Sequence, residues 1–117
     1  MKIINSKNLI TASELKDMAE KSFESLVKAV VDVEEERMAV NAEMHSDEEQ
    51  YLLEDDSKQS NLWGINLYPD LNEEERVEFD SMINLRPSQN NRSRGINNSE
   101  VKNKIIKIVN NLVNWNE

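Results

Sequence analysis

"LVKAVVDVEEERMAVNAEMH", residues 26–45, decides the fold. Val27, Ala29, Val31 and Val33 alternate with Lys28, Val30, Asp32 and Glu34, and a period of two belongs to an extended strand, not a helix. After the acidic run at Glu34–Glu36, Met38, Val40, Ala42 and Met44 repeat the alternation. The stretch is therefore expected to be an antiparallel hairpin whose turn carries the acids.

On the N-terminal side, "TASELKDMAEKSFESL" (residues 11–26) has Thr11 and Glu14 at capping-box spacing. Leu15, Met18, Ala19, Ser22 and Leu26 lie along one face of the predicted helix. On the C-terminal side, "HSDEEQYLLEDDS" (45–57) reads as a short helix with Ser46 as N-cap, Glu49 completing its box, and Tyr51, Leu52 and Leu53 as apolar content. "NLWGINLYP" (61–69) and "RVEFDSMINLRP" (76–87) read as a second strand pair, stopped by Pro69 and Pro87 and joined by the acidic loop "DLNEEER". "NSEVKNKIIKIVNNLVNW" (98–115) spaces Val101, Ile105, Ile108, Val109 and Leu112 as a last helix, capped at Asn98 or Ser99.

The element order is α-ββ-α-ββ-α, which predicts an α+β domain over residues 1–117. Its core is one antiparallel sheet of about four strands with the helices on one face. The opposite sheet face is then expected to be polar and open. It would carry Lys28, Asp32 and Glu34, then Asn41, Glu43 and His45, then Asn66, and finally Asp80, Asn84 and Arg86.

Composition narrows the function classes. A net charge of −9 argues against nonspecific adhesion to nucleic acid or anionic membrane. The charge is uneven: residues 1–80 carry 8 Lys and Arg against 21 Asp and Glu, and residues 81–117 carry 6 against 2. With no cysteine, disulfides and thiolate metal sites are excluded, and a cytoplasmic location is the default expectation. Apolar runs are too short for a membrane span, and the opening residues show no apolar leader segment.

The acid-free stretch "INLRPSQNNRSRGI" (83–96) carries the sharpest functional signal. Arg86, Arg92 and Arg94, with Ser88, Gln89 and Asn91, offer many hydrogen-bond donors and lead to a predicted helix N-terminus, where free backbone amides also favour an anion. The expected ligand bears phosphate, either a nucleotide or a stretch of nucleic acid backbone. A solvated basic loop, or one paired with the acids of residues 1–80, accounts for the same residues.

Two further readings compete. Asp32, Glu43 and Asp80 supply hard oxygen donors suited to Mg²⁺ or Mn²⁺, and His45, the only histidine, is the natural general base; together they would make a metal-dependent phosphoester hydrolase. A solvated sheet face and a polar helix boundary are the simpler explanation of the same residues. No nucleophile elbow or glycine-rich phosphate loop is present, since the only glycines are Gly64 and Gly95. Apart from such a divalent ion, no cofactor is expected. Trp63, Tyr68 and Trp115 could stack on a base, but Trp63 and Trp115 read as packing groups first. The third reading is an interaction module whose sheet face or edge docks a protein, including a second copy as a homodimer.

"LVKAVVDVE", "HSDEEQYLLEDDSKQSNLWGINLYPD" and "EFDSMINLRPSQNNRSRGI" together resemble an uncharacterised prokaryotic family, domain of unknown function 5674, over nearly the whole chain. The resemblance implies a small stand-alone cytoplasmic protein and brings no activity, cofactor or catalytic residue.

Overall fold

The computed structural model describes residues 1–22 and 24–117; Phe23, which falls within the first predicted helix, lies outside the described residues. Among the described residues the chain is α+β, with one five-stranded antiparallel sheet and three α-helices. The predicted hairpin is present as β3 (Val27–Asp32) and β4 (Arg37–Val40), paired Ala29 to Val40 and Asp32 to Arg37. The sheet is completed by β1 (Lys2–Ile4), β5 (Leu62–Leu67) and β6 (Val77–Glu78), in the order β1-β4-β3-β5-β6. A separate parallel pair joins β2 (Ile10–Thr11) to β7 (Val113–Asn114).

Helix α1 (Ala12–Glu20) begins at the expected capping box. The Thr11 hydroxyl accepts from Glu14 N–H at 3.1 Å, and the Glu14 carboxylate accepts from Thr11 N–H at 3.3 Å. It ends sooner than its apolar spacing predicts. The Ser22 hydroxyl donates to the Ala19 carbonyl and accepts from Leu26 N–H, turning the chain towards β3. Helix α3 (Ser99–Leu112) is capped by Asn98, one of the two caps expected, and buries Ile105, Ile108, Val109 and Leu112.

One face of the sheet carries Ala29, Val31, Met38, Val40, Trp63, Ile65 and Leu67. They form the main core with Leu15 and Ala19 of α1 and the buried residues of α3. Each large aliphatic side chain among them contributes about 1.5–3 kcal/mol when fully buried.

The other face is not open. Val30, Ala39 and Leu62 form a second cluster with Leu52 of α2 (His45–Glu54), flanked by Ile3, Leu53 and Ile83. The alternation itself places Val30 and Ala39 on that side, and burying them requires a cover. Asp32, Asn66, Asn84 and Arg86, expected on an open surface, are buried as well.

Two local expectations are also corrected. Helix α2 starts one residue before Ser46, with extended Met44 at its N-cap and no side-chain cap bond, so the Ser46–Glu49 box does not form. The fourth predicted strand is only two residues long. Past Phe79 the chain leaves the sheet and enters a 3-10 turn at Met82–Asn84, because the Ser81 hydroxyl accepts from Ile83 N–H at 3.3 Å. No helix among the described residues is long and apolar enough to cross a membrane.

Candidate functional site

Arg86 is committed to the protein's own backbone. Its guanidinium donates to the carbonyls of Ile83 at 3.0 Å, Gln59 at 2.7 Å and Leu62, faces the Glu49 carboxylate at 3.4 Å, and sits 4.7 Å over the Trp63 ring. A buried cation with that many partners staples the 83–91 loop to the start of β5. It has no donor directed at solvent that a ligand would use.

Asn91 is structural too. Buried, it donates to the carbonyls of Asn84 at 2.7 Å and Gly95 at 2.8 Å, and accepts from Asn97 N–H at 2.8 Å. Gln89 reaches back to the Ser60 carbonyl at 3.2 Å, whereas Ser88 is exposed. Arg92 is exposed and makes no hydrogen bond or ion pair among the described residues. The backbone amides at the start of α3 are already engaged, since Asn98 Oδ1 accepts from Glu100 and Val101 N–H, which reduces what they offer an anion.

The three carboxylates proposed as metal ligands are not brought together. Asp32 lies at the end of β3 and caps the hairpin turn, its Oδ1 accepting from Glu34 and Glu35 N–H at 3.0 Å and its Oδ2 from the Ser57 hydroxyl at 2.6 Å. Glu43 lies at the opposite end, where its carbonyl accepts from Lys28 Nζ at 3.0 Å. Four residues of strand separate Lys28 from Asp32, which is about 13 Å. Asp80 pairs with Arg94, Nε to Oδ1 at 2.7 Å. No group of three or more His, Cys, Asp or Glu among the described residues is placed to hold a metal ion.

What does converge is a cleft of about 230 Å³ between the start of α2 and the 3-10 turn. Lys28, Glu43, His45, Ser46, Ser81 and Arg94 supply its polar lining. Arg94 is aimed there by the backbone behind it: its carbonyl accepts from Asn84 Nδ2 at 3.0 Å and from Ser81 N–H at 2.9 Å. With Nε on Asp80, both terminal nitrogens of Arg94 remain without a partner among the described residues, and Lys28 uses one donor on the Glu43 carbonyl.

His45 is partly buried, with Nε2 2.8 Å from the Ile65 carbonyl. A carbonyl only accepts, so Nε2 carries the proton and Nδ1 is the basic nitrogen of the neutral ring. Burial lowers its pKa from the ordinary value and Lys28 adds to this, against the Ile65 carbonyl, Asp80 and Asn66, which favour the charged ring. Asn66 donates to Glu78 at 2.8 Å and to the Asp80 carbonyl at 3.2 Å, while its Oδ1 is buried without a partner among the described residues.

A family profile described as protein of unknown function (DUF5674) matches residues 2–112. The chain belongs to the DUF5674 family. The match covers all three helices and β1 to β6, so both the loop and the cleft lie within the DUF5674 region. No curated protein and no solved structure matches the chain.

Sequence reading found Arg94 and His45 but missed Lys28 and Ser46 as their companions. The available signal for Lys28 was its place on the same predicted polar sheet face as Glu43 and His45.

Proposed function

We propose that this DUF5674 protein binds a phosphate-bearing ligand, and that the site is the cleft between α2 and the 3-10 turn, not the apex of the arginine loop. The supporting observation is the convergence of Lys28 and Arg94, from separate elements, with donors left over on both. The first turn of α2 adds to it, because no side chain caps its amides and the positive end of the helix dipole favours an anion. Glu43 is part of the lining, and Asp80 fixes the Arg94 guanidinium through Nε while leaving its terminal nitrogens without a partner among the described residues. Arg86 and Asn91 serve the reading indirectly, as the braces that hold residues 84–95 against the sheet.

Titration calorimetry with inorganic phosphate and ribose 5-phosphate tests this directly. Each charge-assisted contact is worth roughly 1.5–3 kcal/mol, so Lys28→Ala and Arg94→Ala should each weaken binding about 10- to 100-fold. Arg92→Ala, outside the cleft, should leave it unchanged. Absence of binding to the wild-type protein, or a loss on Arg92→Ala equal to that on Arg94→Ala, would overturn the assignment.

A further inference from the structure

The apolar part of the same cleft indicates what the phosphate is attached to. Met44 and Met82 are 58% and 62% exposed, the two most exposed large hydrophobic side chains in the described protein, and both line this cleft with Ile83. Isolated exposed apolar residues need no explanation. These two are not isolated: they come from elements about 40 residues apart, the N-cap of α2 and the 3-10 turn, and they line one cleft together with the polar groups Lys28, His45 and Arg94. An unbranched thioether is polarizable and adapts to a flat ring, which makes a methionine pair a ready slot for an aromatic group.

We infer that the ligand is a mononucleotide-sized molecule, a single phosphate joined to one planar heteroaromatic ring, with the phosphate on Lys28 and Arg94 and the ring between Met44 and Met82. The inference rests on the phosphate reading of this cleft. Size sets an upper limit, since about 230 Å³ lies below the usual range of about 300–1,000 Å³ for pockets that enclose drug-sized ligands and leaves no room for a second nucleotide. Charge supports it as well, because a protein of net charge −9 disfavours a long polyanion.

Calorimetry with adenosine, ribose 5-phosphate, adenosine monophosphate and a short single-stranded oligonucleotide separates the parts. The monophosphate is expected to bind more tightly than either fragment. Met44→Ser and Met82→Ser should each weaken it about three- to tenfold while leaving ribose 5-phosphate unchanged. Both side chains are exposed, so the variants should fold as the wild type does, which the melting temperature checks. If ribose 5-phosphate binds as well as the monophosphate and neither methionine variant changes it, the ring slot is wrong and the phosphate reading stands. Adenosine binding as tightly as the monophosphate would remove the phosphate reading and leave the ring slot. Tighter binding of the oligonucleotide, or no binding of any probe, would overturn the inference.

Discussion

Asn84 uses its side-chain amide as a substitute strand for Gly64. Its Oδ1 accepts from Gly64 N–H at 2.8 Å and its Nδ2 donates to the Gly64 carbonyl at 2.9 Å, closing the β5 backbone groups where β6 has ended. The same Nδ2 holds the Arg94 carbonyl at 3.0 Å, so one buried amide ties the sheet to the candidate site.

Gly64→Ala should therefore be strongly destabilising. A Cβ there would stand 2.6 Å from both Cβ and Oγ of Ser81, and Ser81 is itself buried. Relief requires moving the 3-10 turn, with loss of the Asn84 bonds, and the expected cost is about 2–4 kcal/mol. Chemical denaturation measures it. A change within about 0.5 kcal/mol would mean that the turn moves freely and that Asn84 is not its anchor.

Arg86 and Arg92 should separate cleanly on alanine substitution. Removing Arg86 strands the carbonyls of Gln59, Leu62 and Ile83 and uncovers Trp63, for an expected loss of about 3 kcal/mol or more. Removing exposed Arg92 should leave the melting temperature almost unchanged. Equal effects on thermal unfolding would refute the division of the loop into a brace and a solvated arginine.

The hairpin, the Thr11 and Asn98 caps and the buried face of α3 were legible because each is a local pattern: period two, capping-box spacing, period 3.6. The cover over the second sheet face was not, although Val30 and Ala39 hinted at it, because one apolar residue per strand reads locally as noise. The shortness of β6 was hidden for another reason. Val77, Phe79 and Ser81 alternate as a strand would, and that the Ser81 hydroxyl instead accepts from Ile83 N–H and starts a 3-10 turn is not visible in the alternation. Arginine types and positions pointed to an anion, but which arginine is buried depends on carbonyls more than 20 residues away.

Glu48 gives the protein a stability that falls as pH rises. Its carboxyl is buried, with Oε2 accepting from Ala42 N–H at 3.1 Å and Oε1 unpartnered among the described residues, and burial pushes its pKa from 4.5 up to about 9. Above pH 4.5 the unfolded chain has lost this proton while the folded one keeps it, so stability is lost progressively until about pH 9. His45 acts with the opposite sign: its pKa is lowered on folding, so its contribution is present above its ordinary value and is lost as pH falls through the lower one. Glu48→Gln keeps an acceptor for Ala42 and cannot ionise. Urea unfolding should show it more stable than wild type at pH 8.5 and nearly equal at pH 4.5; a wild-type advantage at pH 8.5 would show that the carboxylate is stabilised in place.

Asp32 should prove to be a turn residue and not a metal ligand. Both of its oxygens are occupied, Oδ1 by two backbone amides and Oδ2 by the Ser57 hydroxyl, which in turn accepts from Arg37 Nη2 at 2.8 Å. Coordination of a divalent ion would have to displace these bonds, and Glu43 is too distant to join it. Asp32→Ala should thus cost about 2–4 kcal/mol without any metal present, because it leaves turn amides and a buried hydroxyl unmatched. Millimolar Mg²⁺ or Mn²⁺ should leave the wild-type melting temperature unchanged, whereas a ligand that binds only the folded state would raise it by mass action. A metal-induced rise that vanishes in Asp32→Ala, with the metal-free variant as stable as wild type, would return Asp32 to a metal centre and show that the hairpin turn rearranges to build it.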